Sequence, residues 1–439
     1  MADRLAINNV RLIDPAGELD AVCGADGGVM IEAGKIAALG PDIFAGGLPA
    51  GVGHVDGDGA YLAPGLVDMR VHLREPGAEH KEDIAGVSAA AVIGGVTCVA
   101  VLPNTVPAID DIAIMEFVHR RAHETGLVRM HCFGAATKGA AGEAMSEIGL
   151  LTQAGAVGFT DGALAIADAH IMATILRYST GFEAIIAQQP NDPSLARDGV
   201  MNAGELATRL GLAGIPKAAE AIMLSRDLML VEMTGARYHA SLVSTAESVA
   251  LIGEAKAKGL DVTCDTAPPY FVLNEEAVGD YRTFAKLFPP LRGEADRLAV
   301  IEGLRDGTID MIVSDHAAQD EESKRLPFAQ AEAGGVGLET LLTLTLELVH
   351  ENGFELARAL DLVTARPAAR FGLDAGRLDV GAPADLVLFD AQAVVAIHSD
   401  GLNSKSKNTP FDGRRARGEV RMTVAGGEIV HRLERVAAA

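Results

Sequence analysis

The side chains best suited to chemistry stand at the C-terminal ends of short apolar runs. They are His72-Leu73-Arg74, Asn104, Asp161, Gln189, the stretch Leu242 to Ser244, Pro268-Pro269 and Asp315-His316. Imidazoles and carboxylates move protons and bind cations, and an arginine fork pairs with a carboxylate through two parallel hydrogen bonds. These positions are far apart in the chain. They make one site only if the runs that carry them lie side by side.

The runs are GLVDMRVHL, VTCVAVLPN, VRMHCFGA, AVGFTD, EAIIAQQ, ARYHASLVS, LDVTCDTAP and IDMIVSDH. Most are followed by an Ala/Leu/Glu-rich stretch with helical spacing. Strand–helix alternation implies a parallel sheet, and eight such units imply a (β/α)₈ barrel of the TIM type, whose chemistry sits at the C-terminal strand ends. An open doubly wound sheet is the competitor, but no G-x-G-x-x-G follows a strand. The first sixty or so residues (LAINNVRLID, GVMIEAGKIAALG, GHVDGDGAYLAPG) and the last sixty (GRLDVGAPADLVLFD, VRMTVAGGEIVHRL) read instead as short strands and turns. The expected division is a small β domain from residues 1–62 and 375–439 around a barrel of residues 63–374.

The chain has 439 residues and a formal net charge of −23, with no stripe of Lys or Arg. Such a chain is a poor ligand for nucleic acid or an anionic membrane. Its four cysteines, Cys23, Cys98, Cys132 and Cys264, are scattered without a C-x-x-C, and three lie inside apolar runs. That pattern suits a reducing compartment. The N-terminus lacks the apolar core of a signal peptide and no stretch is long enough to span a bilayer, so a cytoplasmic location is expected.

An ordered set of motifs resembles the dihydroorotase family of amidohydrolases. It comprises APGLVDMRVHLREPG (63–77), LPNTVP (102–107), DPSLARDGVMNAGE (192–205), GIPKAAEAIM (214–223), VSTAESVALI (243–252), PPLR (289–292), SDHAA (314–318), GGVGLET (334–340) and SKSKNTPFDG (404–413). The resemblance implies a zinc-dependent barrel that interconverts carbamoyl-aspartate and dihydroorotate in pyrimidine biosynthesis. In such a site two metal ions polarise the ring carbonyl and acidify a bridging water, and an aspartate on the last strand takes its proton.

Position by position, the expected metal site is dismantled. The His-x-His of the first strand is Arg70-Val71-His72. The bridging carboxylate is Asp161, and its frequent acidic neighbour is Gly162. The histidine expected after the fifth strand is Gln189, followed by Asn191 where Glu is usual. The sixth-strand ligand is Leu242, while Asp315 and His316 remain on the eighth. Leucine cannot coordinate, and glutamine is a weak donor. Arginine is always protonated, which opposes even a unit charge 4 Å away by about 4 kcal/mol at an effective dielectric near 20. His72, Asp161 and Asp315 are the residual ligand positions. Arg70 is expected to pair with Asp315 or Asp161 and replace the missing metal charge. The resemblance gives Arg74, Asn104 and His316 substrate-binding positions and makes Asp315 a weak or vestigial base. The pocket departs too: Phe288, Pro268-Pro269 and Ala318-Gln319 stand where Asn, His-His and Pro-His are usual.

The first functional expectation is therefore a catalytically silent, homo-oligomeric paralogue without cofactor, retained as a structural subunit with aspartate carbamoyltransferase. The alternatives are a one-metal zinc amidohydrolase acting on dihydroorotate, allantoin or a hydantoin, and a sensor that holds a carboxylate ligand on Arg74 and Asn104. Structural roles are expected for His131, His170 and His239. The Gly-Gly-Val-Gly at 334–337 is expected to be a turn, and SKSKNTPFDG a loop joining barrel to β domain.

Overall fold

Alternating apolar residues at both ends of the chain build one sheet. The computed structural model describes residues 4–17 and 26–433; Cys23 lies outside them. The N-terminal segment supplies β1 (Arg4–Leu12), β2 (Gly27–Glu32), β3 (Lys35–Pro41), β4 (Gly53–Asp56) and β5 (Tyr61–Pro64).

The middle of the chain supplies parallel strands. In order they are β6 (Leu66–Val71), β7 (Val96–Val101), β8 (Arg129–Cys132), β9 (Gly134–Ala135), β10 (Phe159–Thr160), β11 (Ile185–Gln188), β12 (Met201–Asn202), β13 (Gly214–Ile215), β14 (Arg237–Ala240), β15 (Val262–Thr266) and β16 (Met311–Ile312). The C-terminal strands are β17 (Leu386–Ala396), β18 (Arg415–Ala425) and β19 (Glu428–Arg432). The terminal sheet runs β19-β18-β17-β5-β1-β2-β3, with β4 on β1, so β17 on β5 joins the two ends of the chain.

The parallel strands run β6-β7-β8 in one sheet and β9-β10-β11-β14-β15-β16 in another, and β12 pairs with β13 apart from them. Only Phe133 separates β8 from β9. Beyond β16, His316 forms a parallel bridge with Val71, and the His72 amide donates to the His316 carbonyl at 2.8 Å. Alternate side chains pack on opposite sides. Val67, Met69, Cys98, Ala100, Phe133, Ile185, Leu242 and Met311 share one core. Leu66, Val71, Val99, Val101, Met130 and Cys132 pack in another, with the helices. Strands buried on both faces explain near-continuous apolar runs.

Pairing of β6 with β7 slips between Asp68 and Val71, the stretch that holds Arg70. Bulges of this kind re-aim a side chain. The 404–413 segment connects β17 to β18 within the terminal sheet, which corrects the expectation of a loop between two domains. It reaches over the strand ends. The Asn408 amide nitrogen donates to the carbonyls of Ala317 and Gly334, and its oxygen accepts from the Gln319 amide. No helix among the described residues is long and apolar enough to cross a membrane.

One buried ion pair ties the loop after β14 to the Pro-Pro-Leu-Arg segment. Glu220, in the helix Ala218–Thr234, accepts from the amides of Ser244 and Thr245 and pairs with Arg292 at 3.4 Å. Arg292 also donates to Ser244 Oγ, Asn202 and the Ile215 carbonyl. Removing one member of a buried pair strands the other charge. Glu220→Ala is expected to lower unfolding free energy by about 3–5 kcal/mol, read from urea denaturation.

Candidate functional site

Arg70 is 2 % exposed, yet it carries a permanent charge. Its Nε donates to Asp315 Oδ1 at 3.0 Å, and a terminal nitrogen donates to Gln189 Oε1 at 2.6 Å. The expected arginine–carboxylate contact is thus made to Asp315 and not to Asp161. The amide nitrogen of Gln189 donates in turn to the Phe288 carbonyl at 3.2 Å. Two of the positions where the resemblance calls for histidine ligands are therefore bonded to each other.

The third, Leu242, is fully buried in the core beside Ala267, Tyr270 and Phe371. Its φ is 55°, unusual for a non-glycine residue, and its amide is pinned by Asp265 Oδ1 at 2.7 Å. Asp315 has φ 48°, so two strand-end residues hold left-handed backbone. Such positions persist where surrounding bonds over-determine them.

His72 lies with Nε2 3.6 Å from Asp315 Oδ1. Burial pushes its pKa down to about 4; Asp315 opposes this, while Arg74 and Arg70 add to it. Asp161 is turned elsewhere. It accepts from the Thr137 amide at 2.9 Å and from the Thr137 hydroxyl, and burial raises its pKa. Asn104 donates to the Asp161 carbonyl at 3.1 Å, and its own Oδ1 is buried without a hydrogen-bond partner. A Cβ on Gly162 (φ 66°) would stand 1.6 Å from that oxygen, so Asn104 fills the space a side chain at 162 would need. Arg74 donates from Nε to the Ala318 carbonyl at 3.2 Å, and burial lowers its pKa. His316 does not join these groups. Its ring is fully buried, accepts from the Gly337 amide at 3.3 Å and stands 3.7 Å from Glu82.

Sequence reasoning missed several buried acids around this cluster. Asp68 accepts from the Arg70 and Ser314 amides and the Ser314 hydroxyl, and burial raises its pKa to about 6. Asp265 bonds His239 Nε2 at 2.8 Å, which satisfies His239 as a structural residue. The signal was present: each aspartate interrupts an otherwise apolar strand. His131, expected to be satisfied, has no hydrogen bond from its ring among the described residues.

The donor set does not fit a zinc pair. At the three positions where the resemblance calls for imidazoles there are a guanidinium, an amide and an aliphatic chain, and Asp315 is engaged by the guanidinium. The cavity lined by Asp315, Pro268, Pro269, Pro410 and Phe411 measures ≈ 10 Å³, room for about one water.

Arg70→Met leaves the Asp315 carboxylate buried without its cation. A loss of about 3–5 kcal/mol in urea denaturation is expected, against about 1.5–3 kcal/mol for Gln189→Leu, which removes a charge-assisted bond. His72 makes a second prediction. Its folded pKa lies below the ordinary 6.5, so its share of stability is present above that value and fades as pH falls toward about 4. Raised Asp68 acts with opposite sign, favouring the folded state at low pH and losing that share as pH rises through about 6. The comparison of wild type with His72→Gln isolates the histidine: the wild type should lose about 3 kcal/mol more than the variant between pH 7 and pH 4.

Comparison with known proteins agrees with this arrangement of strands and motifs. The family described as "Dihydro-orotase-like" matches residues 59–248, and "Amidohydrolase family" matches residues 336–431. A dihydroorotase of Desulforapulum autotrophicum is 46% identical over 88% of this chain and 90% of its own. One of Anaplasma phagocytophilum is 42% identical over 98% and 96%. The fold resembles the L-hydantoinase (dihydropyrimidinase) of Arthrobacter aurescens, with TM-score 0.84 at 24% identity over 98% of this chain and 96% of that one. It also resembles the dihydropyrimidinase of Brevibacillus agri, with TM-score 0.82 at 21% identity over 98% and 95%. With motifs, strand order and full-length relatives in agreement, the chain belongs to the dihydroorotase family of the amidohydrolases.

Proposed function

We propose that this chain is a dihydroorotase-like protein without catalytic activity, serving pyrimidine biosynthesis as a structural subunit of the aspartate carbamoyltransferase catalytic chain. The observation that carries the reading is the Arg70 guanidinium held between Asp315 and Gln189. It supplies the positive charge that metal would bring and occupies a ligand position while doing so.

The reading takes β6 to β11 and β14 to β16 as a closed (β/α)₈ barrel, supported by the Val71–His316 bridge from last strand to first. It takes residues 1–62 and 375–439 as a small β domain. It includes no resident cofactor, a homo-oligomeric assembly and a cytoplasmic location. The intact fold motifs supply surface and stability and leave no step of hydrolysis to this chain.

The competing reading is a one-metal amidohydrolase using His72, Asp161 and Asp315. The retention of all three residues favours it; the capture of Asp161 by Thr137 and of Asp315 by Arg70 opposes it.

Dihydroorotate ring opening and carbamoyl-aspartate closure are expected to be undetectable with the purified chain. Aspartate carbamoyltransferase is expected to co-elute with it and to melt at higher temperature in its presence. Turnover that Asp315→Asn abolishes, or a transferase equally stable and separate without the chain, overturns the proposal. Joint replacement Arg70→His, Gln189→His and Leu242→His is expected to add zinc beyond what the wild-type chain holds, and Asp315→Asn is expected to remove that increment, read by elemental analysis of the variants beside wild type.

A further inference from the structure

A second cluster of chemically capable side chains lies away from the strand ends just described. A cavity of ≈ 470 Å³ is lined by His119, His123, His131, Arg129 and Asp385, among others. It sits where the helix Ile112–Thr125 runs into β8, against residues 383–385 and 425–426 of the terminal segments. The function proposed above uses none of these residues.

Three observations point to a ligand. First, His119 and His123 are four residues apart on one helix and both line the cavity, so their rings share a face. Second, no ring nitrogen of His119, His123 or His131 has a hydrogen-bond partner among the described residues. The rings of His80, His170, His398 and His431 are likewise unbonded, but none of them lines this cavity. Third, the half-buried His131 of β8 lines the same cavity and brings a third ring to it. Arg129 also faces the cavity, but its charge is matched there by Asp385.

Neutral imidazoles suit late first-row divalent ions, and two histidines four apart on a helix form a bidentate clip for them. Among the described residues no three His, Cys, Asp or Glu side chains converge on one point, so waters complete the coordination. We propose that His119 and His123 chelate a divalent transition-metal ion, with Cu²⁺ bound more tightly than Ni²⁺ or Zn²⁺. Zinc found with this chain then resides on the helix and not at Asp315.

The test titrates Cu²⁺, Ni²⁺ and Zn²⁺ separately into the full chain by calorimetry, after treatment with a chelator and dialysis. One ion per chain is expected. His119→Ala and His123→Ala should each weaken it by at least the roughly 10–100-fold that loss of an outer-shell partner costs elsewhere. Asp315→Asn and His72→Gln should leave it unchanged. His123 is exposed, so its replacement leaves the fold intact. Absence of binding, or binding that survives both histidine replacements, overturns the proposal. Loss on Asp315→Asn also overturns it, and would revive the one-metal reading.

Discussion

A permanently charged arginine, buried among acids, sets the terms for the strand ends of this protein. Arg70 cannot shed its proton, so its surroundings must supply a carboxylate or leave an unpaired ion in low dielectric. Asp315 meets that demand, and Gln189 takes a second donor. The desolvation of two charges limits what such a pair contributes to net stability, yet breaking it is costly. The consequence is geometric. With Arg70 in place, Gln189 is fixed against the Phe288 carbonyl, and His72 is left neutral beside an acid already paired.

The neighbouring acids follow the same rule one by one. Asp68 is matched by Ser314, Asp161 by Thr137, Asp265 by His239 and the Leu242 amide, and Glu220 by Arg292. Each carboxylate is satisfied by donors within the chain. A metal centre needs the opposite arrangement, with several lone pairs aimed at one empty point. The strand ends therefore hold a set of closed local pairs. Asn408 and its segment hold the overlying loops through carbonyls and amides, which adds to the closure.

Much of this was legible beforehand. All eight apolar runs are strands, because a strand buried on both faces must be apolar throughout. The terminal strands were visible from alternation and Gly or Asp-Gly turns. The substitutions at 70, 189 and 242 could be named from the motifs alone. The acids Asp68 and Asp265 were passed over because their partners lie far away: Ser314 is 246 residues from Asp68. The surroundings of His316 are hidden for a related reason. It follows Asp315 directly, but the backbone at Asp315 is left-handed, and the next side chain turns inward to Glu82. The 404–413 segment resembles a link between domains in sequence, since nothing local reveals that both flanking strands belong to one sheet.

What the amino-acid order determined by itself was chemical identity at each position: a cation, an amide and an aliphatic chain where the family resemblance calls for imidazoles, on strands whose periodicity is local. Which groups those residues would meet was decided by the tertiary structure. Whether Arg70 found Asp315 or Asp161 depended on a bulge in β6 and on Thr137 taking the second acid. The three unbonded histidines at the foot of β8 became neighbours only when a helix, a strand and the terminal segments packed together. Partner choice between side chains is a matter of distance in space, and the chain's order constrains that distance only through the fold.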